Sequence, residues 1–356
     1  MVSEGTLLIT ALILLVSLLV LMALVQLICA RIDARRFPAP GRVIRVPGGE
    51  THVREMGAGE PPVVLEAGIA ASSLNWIVLQ QHLAEFTTTC SYDRAGLGWS
   101  RSSSRNGRFS LCRASEDLRA LVVALKLPQP YILVAHSFGS YIIAEYAQRY
   151  AGELAGIVLV DPLTPEEWMQ PTREQRWILR RGVWFSRAGG VVAALGVLRL
   201  CLWLLQRGNR EAPRGVLRLF GKKATETVEH ILSELAKLPP DTVRLIRARW
   251  STSKFFWTMA AYIQSVPACS VEMAERQIPA QVPVTVLSGG QQSAIRLEEH
   301  AAIAARSLRG RHVVAGKSAH WIHLDQPDLV VDAVRELADH LQFTPEPTLH
   351  EKGRRA

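Results

Sequence analysis

The residues best suited to chemistry in this chain are a serine and a histidine far apart in sequence. Ser137 stands in Val134-Ala-His-Ser-Phe-Gly139, between an apolar run ending at Ala135 and a helical pattern opening at Phe138. A strand that turns sharply into a helix at a serine holds that hydroxyl clear of the chain, provided the residues two before and two after are small. Ala135 and Gly139 meet that demand. The helix N-terminus behind the serine also offers free N–H groups and positive potential to an oxyanion. A serine capping a helix after a strand is the bland alternative. The combination of strand before and helix after favours a nucleophile.

A serine hydroxyl is a weak nucleophile at neutral pH and needs a general base with a pKa near it. His320 lies in Gly316-Lys-Ser-Ala-His-Trp321, after a strand and before a helix, hence on a loop at a strand's carboxyl end. His323 is the competitor. Its place beside Leu324-Asp-Gln-Pro327, where a helix begins, suits a capping or surface role. His136, next to the serine, is expected to pack or to line the pocket.

The elements that must position these groups read as alternating strands and helices. Arg42–Val46 and Thr51–Glu55 form an opening hairpin about Gly48-Gly49. Strands follow at Pro62–Glu66, Thr87–Asp93, Tyr131–Ala135, Ala155–Val160, Val282–Leu287 and Arg311–Ala315. Helical patterns cover Ser73–Phe86, Ala114–Leu127, Phe138–Tyr150, Leu297–Leu308 and Pro327–Leu341. This alternation predicts an α/β fold with a mostly parallel sheet covered on both faces, which binds ligands at the carboxyl ends of its strands. Residues 163–279 are rich in helix formers and Trp, without a convincing strand. They read as a helical lid inserted between core segments 42–162 and 280–342, and residues 343–356 as a disordered tail.

Residues 43–162 and 280–342 resemble the α/β-hydrolase superfamily. Besides the serine turn, Tyr92-Asp-Arg-Ala-Gly-Leu-Gly-Trp-Ser100 is similar to its Y-D-x-x-G-x-G-x-S loop, Glu66-Ala-Gly-Ile69 lies where it has a His-Gly oxyanion loop, and Gly316–Trp321 is similar to its histidine segment. The resemblance implies an oxyanion hole made by the backbone N–H groups of Phe138 and Ile69, with Gly68 holding the loop. Ala67 replaces the histidine that often braces it. The triad acid usually follows the strand read here as Val282–Leu287, but Ser288-Gly-Gly-Gln-Gln-Ser293 carries no carboxylate, and Glu298 is already within the next helix. The superfamily's other location, the end of the preceding strand, holds Asp161, in the chain order Ser, Asp, His. The alternative for Asp161 is a structural turn cap. Asp93 is expected to tie down its own loop.

Composition bounds the rest. The 356 residues carry a formal charge of +9, with Lys and Arg scattered among acids, and no zinc finger, RNA-recognition signature or basic zipper points to nucleic acid. Five cysteines, none in CxxC, give neither a disulfide framework nor a zinc site, and neither metal nor cofactor is expected.

Thr6–Ala30 is an uncharged apolar run long enough to cross the ~30 Å hydrocarbon layer, which takes about 20 residues. Residues 1–5 precede it and 31–41 link it to the core. A cleaved signal peptide would have a basic start and an apolar core of about 7–15 residues, whereas here Glu4 precedes a longer one. Arg31, Arg35 and Arg36 after the span place the following domain on the cytoplasmic side. Gly189–Leu205 is apolar except for Arg199 and reads as a lid helix lying in the membrane interface or lining an acyl site. The alternatives are a second span or a buried helix. Trp168, Trp177, Trp184, Trp203, Trp250 and Trp257 add amphipathic surface.

The expected function is a single-pass, membrane-anchored serine esterase acting on lipid or other apolar esters. The alternatives are the same fold acting on amide, thioester or carbon–carbon bonds or transferring the acyl group, and a non-catalytic binding protein. Dehalogenases and epoxide hydrolases of this fold would need an Asp where Ser137 stands.

Overall fold

A computed structural model describes residues 3–102, 109–207, 215 and 221–342. The expected tail, 343–356, lies outside the described residues.

The sheet forms because short β-branched runs are interrupted by glycine-bearing turns. Its strands are β1 (Arg42–Val46), β2 (Gly49–Met56), β3 (Val63–Glu66), β4 (Thr89–Tyr92), β5 (Arg101–Ser102), β6 (Tyr131–His136), β7 (Leu154–Val160), β8 (Val284–Gly289) and β9 (Gly310–Ala315). Their order is β1-β2-β4-β3-β6-β7-β8-β9, with β5 added to β2. From β4 to β9 every pairing is parallel, while the β1–β2 and β2–β4 pairings are antiparallel.

Successive side chains of a strand point to opposite faces, and both faces are apolar here. On one, Leu133, Ile157, Leu159 and Val286 pack with Leu118 and Leu121 of α3 (Leu111–Ala124) and with Ile143 and Tyr146 of α4 (Gly139–Tyr150). On the other, Ile132, Val134, Val158 and Val160 meet Leu79 and Leu83 of α2 (Ile77–Leu83) and Val330, Val334 and Leu337 of a C-terminal helix. The α/β fold with a mostly parallel sheet covered on both faces, expected from the alternation, is therefore present.

Among the described residues, no strand lies between β7 and β8. The helices there are α5 (Pro165–Met169), α6 (Arg173–Ala194), α7 (Val197–Gln206), α8 (Lys222–Leu235), α9 (Pro240–Trp250) and α10 (Ser253–Ala274). α10 lies over the turn after β6, where its Phe255, Tyr262 and Val266 pack with Phe138 and Tyr141. After β8 come α11 (Ala294–Ala305), α12 (Ile322–Asp325) and α13 (Pro327–Gln342), the C-terminal helix just mentioned.

The expectation of one continuous helix over 189–205 is corrected. α6 stops at Ala194 and α7 starts at Val197, with an 85° bend between them. Gly196 sits at φ 76°, a left-handed conformation that ends a helix and that glycine adopts without penalty.

α1 (Glu4–Arg36) is 33 residues long, and its most apolar window has a mean hydropathy of 3.1 and no buried residue. Its length and composition are those of a membrane anchor or of a signal sequence. Near its C-terminal end it is joined by polar contacts to the segment between β7 and β8. Arg199 of α7 donates to Gln26 Oε1 at 2.7 Å and pairs with Asp33, and Gln26 Nε2 donates to the Ser251 carbonyl at 2.8 Å.

Gly156 of β7 lies under α13. A Cβ there would approach Leu337 Cδ1 to 2.9 Å. Gly156→Val is expected to overpack this interface and lower stability by about 1–3 kcal/mol, measured as a shifted urea midpoint with an unchanged m-value.

Candidate active site

The turn after β6 follows from its flanks. β6 is buried throughout and ends at His136, and α4 starts at Gly139. Ser137 between them adopts φ 50°, unusual for a residue with a side chain. The conformation is held by hydrogen bonds from Ser137 N to Val160 O at 3.1 Å and from Leu163 N to Ser137 O at 3.3 Å. Small neighbours are a geometric need. A Cβ on Gly139 would come within 2.8 Å of the Ala67 carbonyl and 2.9 Å of Glu66.

β7 ends in the same way, with Asp161 at φ 43°. Its carboxylate is fully buried and accepts three hydrogen bonds: His320 Nδ1 at 2.5 Å, the Gln292 amide at 2.6 Å and the Gly289 N–H at 3.0 Å. The turn after β8, which lacks a carboxylate, thus supplies donors to the acid on the neighbouring strand. Burial pushes the Asp161 pKa up, but the His320 imidazole and the Gly289 N–H outweigh it and hold the group below the usual carboxylate range.

His320, on the loop after β9, is brought to the β6 turn by its own main chain. The hydrogen bond between His136 Nε2 and the His320 carbonyl is 2.9 Å long, and the two rings lie 4.5 Å apart. Ser137, Asp161 and His320 therefore occupy one end of the sheet. His136 packs against the His320 ring and is buried. The competitor His323 is also buried, packed 4.6 Å from both Trp76 and His136, and does not bond Asp161. Desolvation lowers the pKa of His136 well below 6.5, aided by the neighbouring histidines, and lowers His323 to about 3.

The loop after β3 passes against the serine turn. A Cβ on Gly68 would sit 2.8 Å from His136 Nδ1 and 3.4 Å from Ser137 Cβ, so only glycine permits this approach. Among the described residues, neither the Ile69 nor the Phe138 N–H donates to another backbone group.

The brace of this loop was missed in the sequence. Arg94, 5% exposed, donates to the carbonyls of Ala67 and, at 2.5 Å, Gly68, pairs with Glu66, and lies over the Tyr262 ring at 5.0 Å. The Tyr92 hydroxyl also donates to Glu66. The signal available was an arginine directly after a buried strand and before a glycine-rich loop, where a cation needs a buried partner. Asp93 ties its loop down as expected, accepting from Ser73 N at 2.8 Å and Trp99 N at 2.9 Å, with the His52 ring at 2.9 Å.

Residues 61–327 match the profile of the alpha/beta hydrolase fold family, and the chain belongs to that family. Relatives and solved structures agree in fold and differ in chemistry. The chain is 30% identical over 106 residues to the uncharacterized protein YqjL of Bacillus subtilis, covering 30% of this chain and 41% of that one. It is 27% identical over 138 residues to a haloalkane dehalogenase of Sphingobium indicum, covering 38% and 46%. The chain thus spans less than half the length of these relatives. A thermophilic esterase from Thermogutta terrifontis superposes with a TM-score of 0.54 at 20% identity, over 85% of this chain and 99% of that one. A candidate epoxide hydrolase from Pseudomonas aeruginosa gives 0.63 at 17%, over 85% and 96%. At such identities the structures speak for the fold alone.

Two outcomes follow from these environments. Arg94→Met strands the buried Glu66 carboxylate and should lower stability by about 3–5 kcal/mol, whereas Glu66→Gln combined with it should lose less than the sum of the two single changes in urea denaturation. The second concerns pH. Burial depresses the folded-state pKa of His136, His323 and His300, the last to about 4. Between 6.5 and those values the unfolded chain binds protons that the folded chain does not, so stability falls as pH falls. From pH 7 to 5 the loss is about 2 kcal/mol per such histidine. His323→Phe should flatten that dependence in thermal unfolding of the detergent-solubilised chain.

Proposed function

We propose that this chain is a membrane-anchored serine hydrolase that cleaves carboxylic esters, lipid esters in particular, through an acyl-enzyme on Ser137. The observation that carries the reading is the 2.5 Å hydrogen bond between buried Asp161 and His320, at the end of the sheet where Ser137 stands in a left-handed turn.

With Nδ1 engaged by Asp161, the His320 proton belongs on Nδ1 and Nε2 is left as the base. Nε2 takes the Ser137 proton as Oγ attacks the ester carbonyl. The tetrahedral oxyanion is received by the N–H groups of Phe138 and Ile69, each worth roughly 2.7–4 kcal/mol in comparable sites. Collapse expels the alcohol, which takes the proton from His320. Water, deprotonated by the same imidazole, then releases the acid and restores Ser137. Asp161 stabilises the transient imidazolium throughout. In this reading Gly68, Gly139 and His136 have supporting roles. They keep the loop, the turn and the imidazole-bearing segment in place.

Dehalogenase and epoxide hydrolase chemistry is disfavoured, because enzymes of this fold with those activities would need an Asp where Ser137 stands. The lipid half of the reading is supported by the long apolar α1 and by its contacts with the lid helices. Arg31, Arg35 and Arg36 favour a cytoplasmic position for the catalytic part.

A fluorophosphonate probe should label the wild-type chain and not Ser137→Ala, and Asp161→Asn should slow turnover on the order of 10⁴-fold, as in other triads. Undiminished labelling of Ser137→Ala would sink the nucleophile assignment. In vesicles, long-chain esters should turn over faster than acetyl esters. Equal or faster turnover of soluble acetyl esters would remove the lipid half alone.

A further inference from the structure

We propose that the exposed face of α6, continued by α7, is a bilayer-docking surface held in the leaflet region where α1 leaves the membrane. The proposal rests on the anchored half of the reading above and not on its chemistry.

α6 has two unlike faces. One packs on α10 through glycines. A Cβ on Gly189 would meet the Phe256 ring at 2.6 Å, and one on Gly190 the Trp257 ring at 3.0 Å. The other carries Trp177, Trp184 and Val191, seven residues apart and hence on one side of the helix, each about half exposed. Leu200 and Trp203 extend the exposed apolar surface onto α7. A row of large apolar side chains each about half exposed is costly in water and marks a partner surface.

The charges on this face match a lipid head-group layer. The Arg181 guanidinium lies 4.2 Å from the Trp177 ring centre and 5.2 Å from that of Phe185, and that of Arg207 lies 4.1 Å from Trp203. Aromatic rings with basic groups stacked on them suit the zone between acyl chains and anionic head groups. A straight span is excluded by the 85° bend at Gly196, although the two helices together are apolar enough to be one. Two helices at that angle can lie along a surface and dip into it.

Continuity with α1 selects the bilayer over a soluble partner. Arg199 of α7 bonds Gln26 and Asp33, near the C-terminal end of α1 and just before Arg35 and Arg36. The level at which α1 exits the hydrocarbon is therefore the level at which α7 is held.

The test uses the full-length chain with Cys29, Cys112 and Cys201 replaced by Ala, reconstituted in phosphatidylcholine–phosphatidylglycerol vesicles. An environment-sensitive fluorophore is placed singly at Trp184→Cys, at Leu308→Cys on a loop of the core, or at Leu14→Cys within α1. Nitroxide-labelled lipid should quench the probe at 184 at least about threefold more strongly than at 308, as expected of an interfacial helix, and should quench the probe at 14. Quenching at 14 with none at 184 overturns the docking surface and leaves the anchor standing. No quenching at 14 overturns both. A probe at 184 shielded from lipid nitroxide and from aqueous iodide alike would mean that protein covers this face, which also overturns the proposal.

Discussion

Two adjacent strands of the sheet end in a residue that bears a side chain and adopts positive φ, Ser137 at 50° and Asp161 at 43°, and the site depends on that constraint. Each such conformation costs on the order of 1–3 kcal/mol unless its surroundings enforce it. Here the sheet does so, through Ser137 N to Val160 O and Asp161 N to Leu287 O. Each strand thereby holds the next strand's end. Turning left-handed at the last residue lifts the side chain off the pleat and aims it beyond the sheet's edge, where a regular strand would have pointed it into one of the apolar layers.

Strand order then determines what can meet. β6 and β7 are neighbours, so Ser137 and Asp161 start one strand spacing apart, about 4.8 Å. His320 comes from beyond β9, two strands from β7, and must reach across the end of β8. The turn after β8 accommodates this by being small and by donating to Asp161 through Gly289 and Gln292. A bulkier turn there would lie in the path of the imidazole. The hydrogen bond of His136 to the His320 carbonyl secures the other side of that loop.

The strands were legible because each is a short β-branched run closed by a turn. The observed ends differ from the expected ones by two residues at most, and among the described residues only the short β5 went unread. Ser137 was legible for a local reason, since the turn's demand for small neighbours is written within five residues. What escaped the reading depends on distant partners. The role of Arg94 is set by carbonyls of a loop that precedes it by some twenty-five residues and by Tyr262 on α10. The break at Gly196 escaped because a lone glycine in an apolar helical pattern usually passes without ending it. Arg199, the one charge in that apolar run, finds its partners in Gln26 and Asp33 of α1, which no local pattern announces.

α10 connects the other helices between β7 and β8 with the site. On one side it receives the glycine face of α6. On the other, its Tyr262 lies edge-on to Phe138, with ring centres 5.8 Å apart, and carries the Arg94 guanidinium on its face at 5.0 Å. Phe138 follows Ser137, and Arg94 holds the carbonyls of the Ala67-Gly68 loop, so a single tyrosine touches one wall of the proposed oxyanion hole directly and the brace of the other. Asp161 and His320 are fixed by other elements: the turn after β8, His136 and the sheet itself. The two halves of the proposed chemistry thus hang from different parts of the fold. Tyr262 stands beside the residues that would receive an oxyanion, whereas the groups that would move the proton are held by the strand ends.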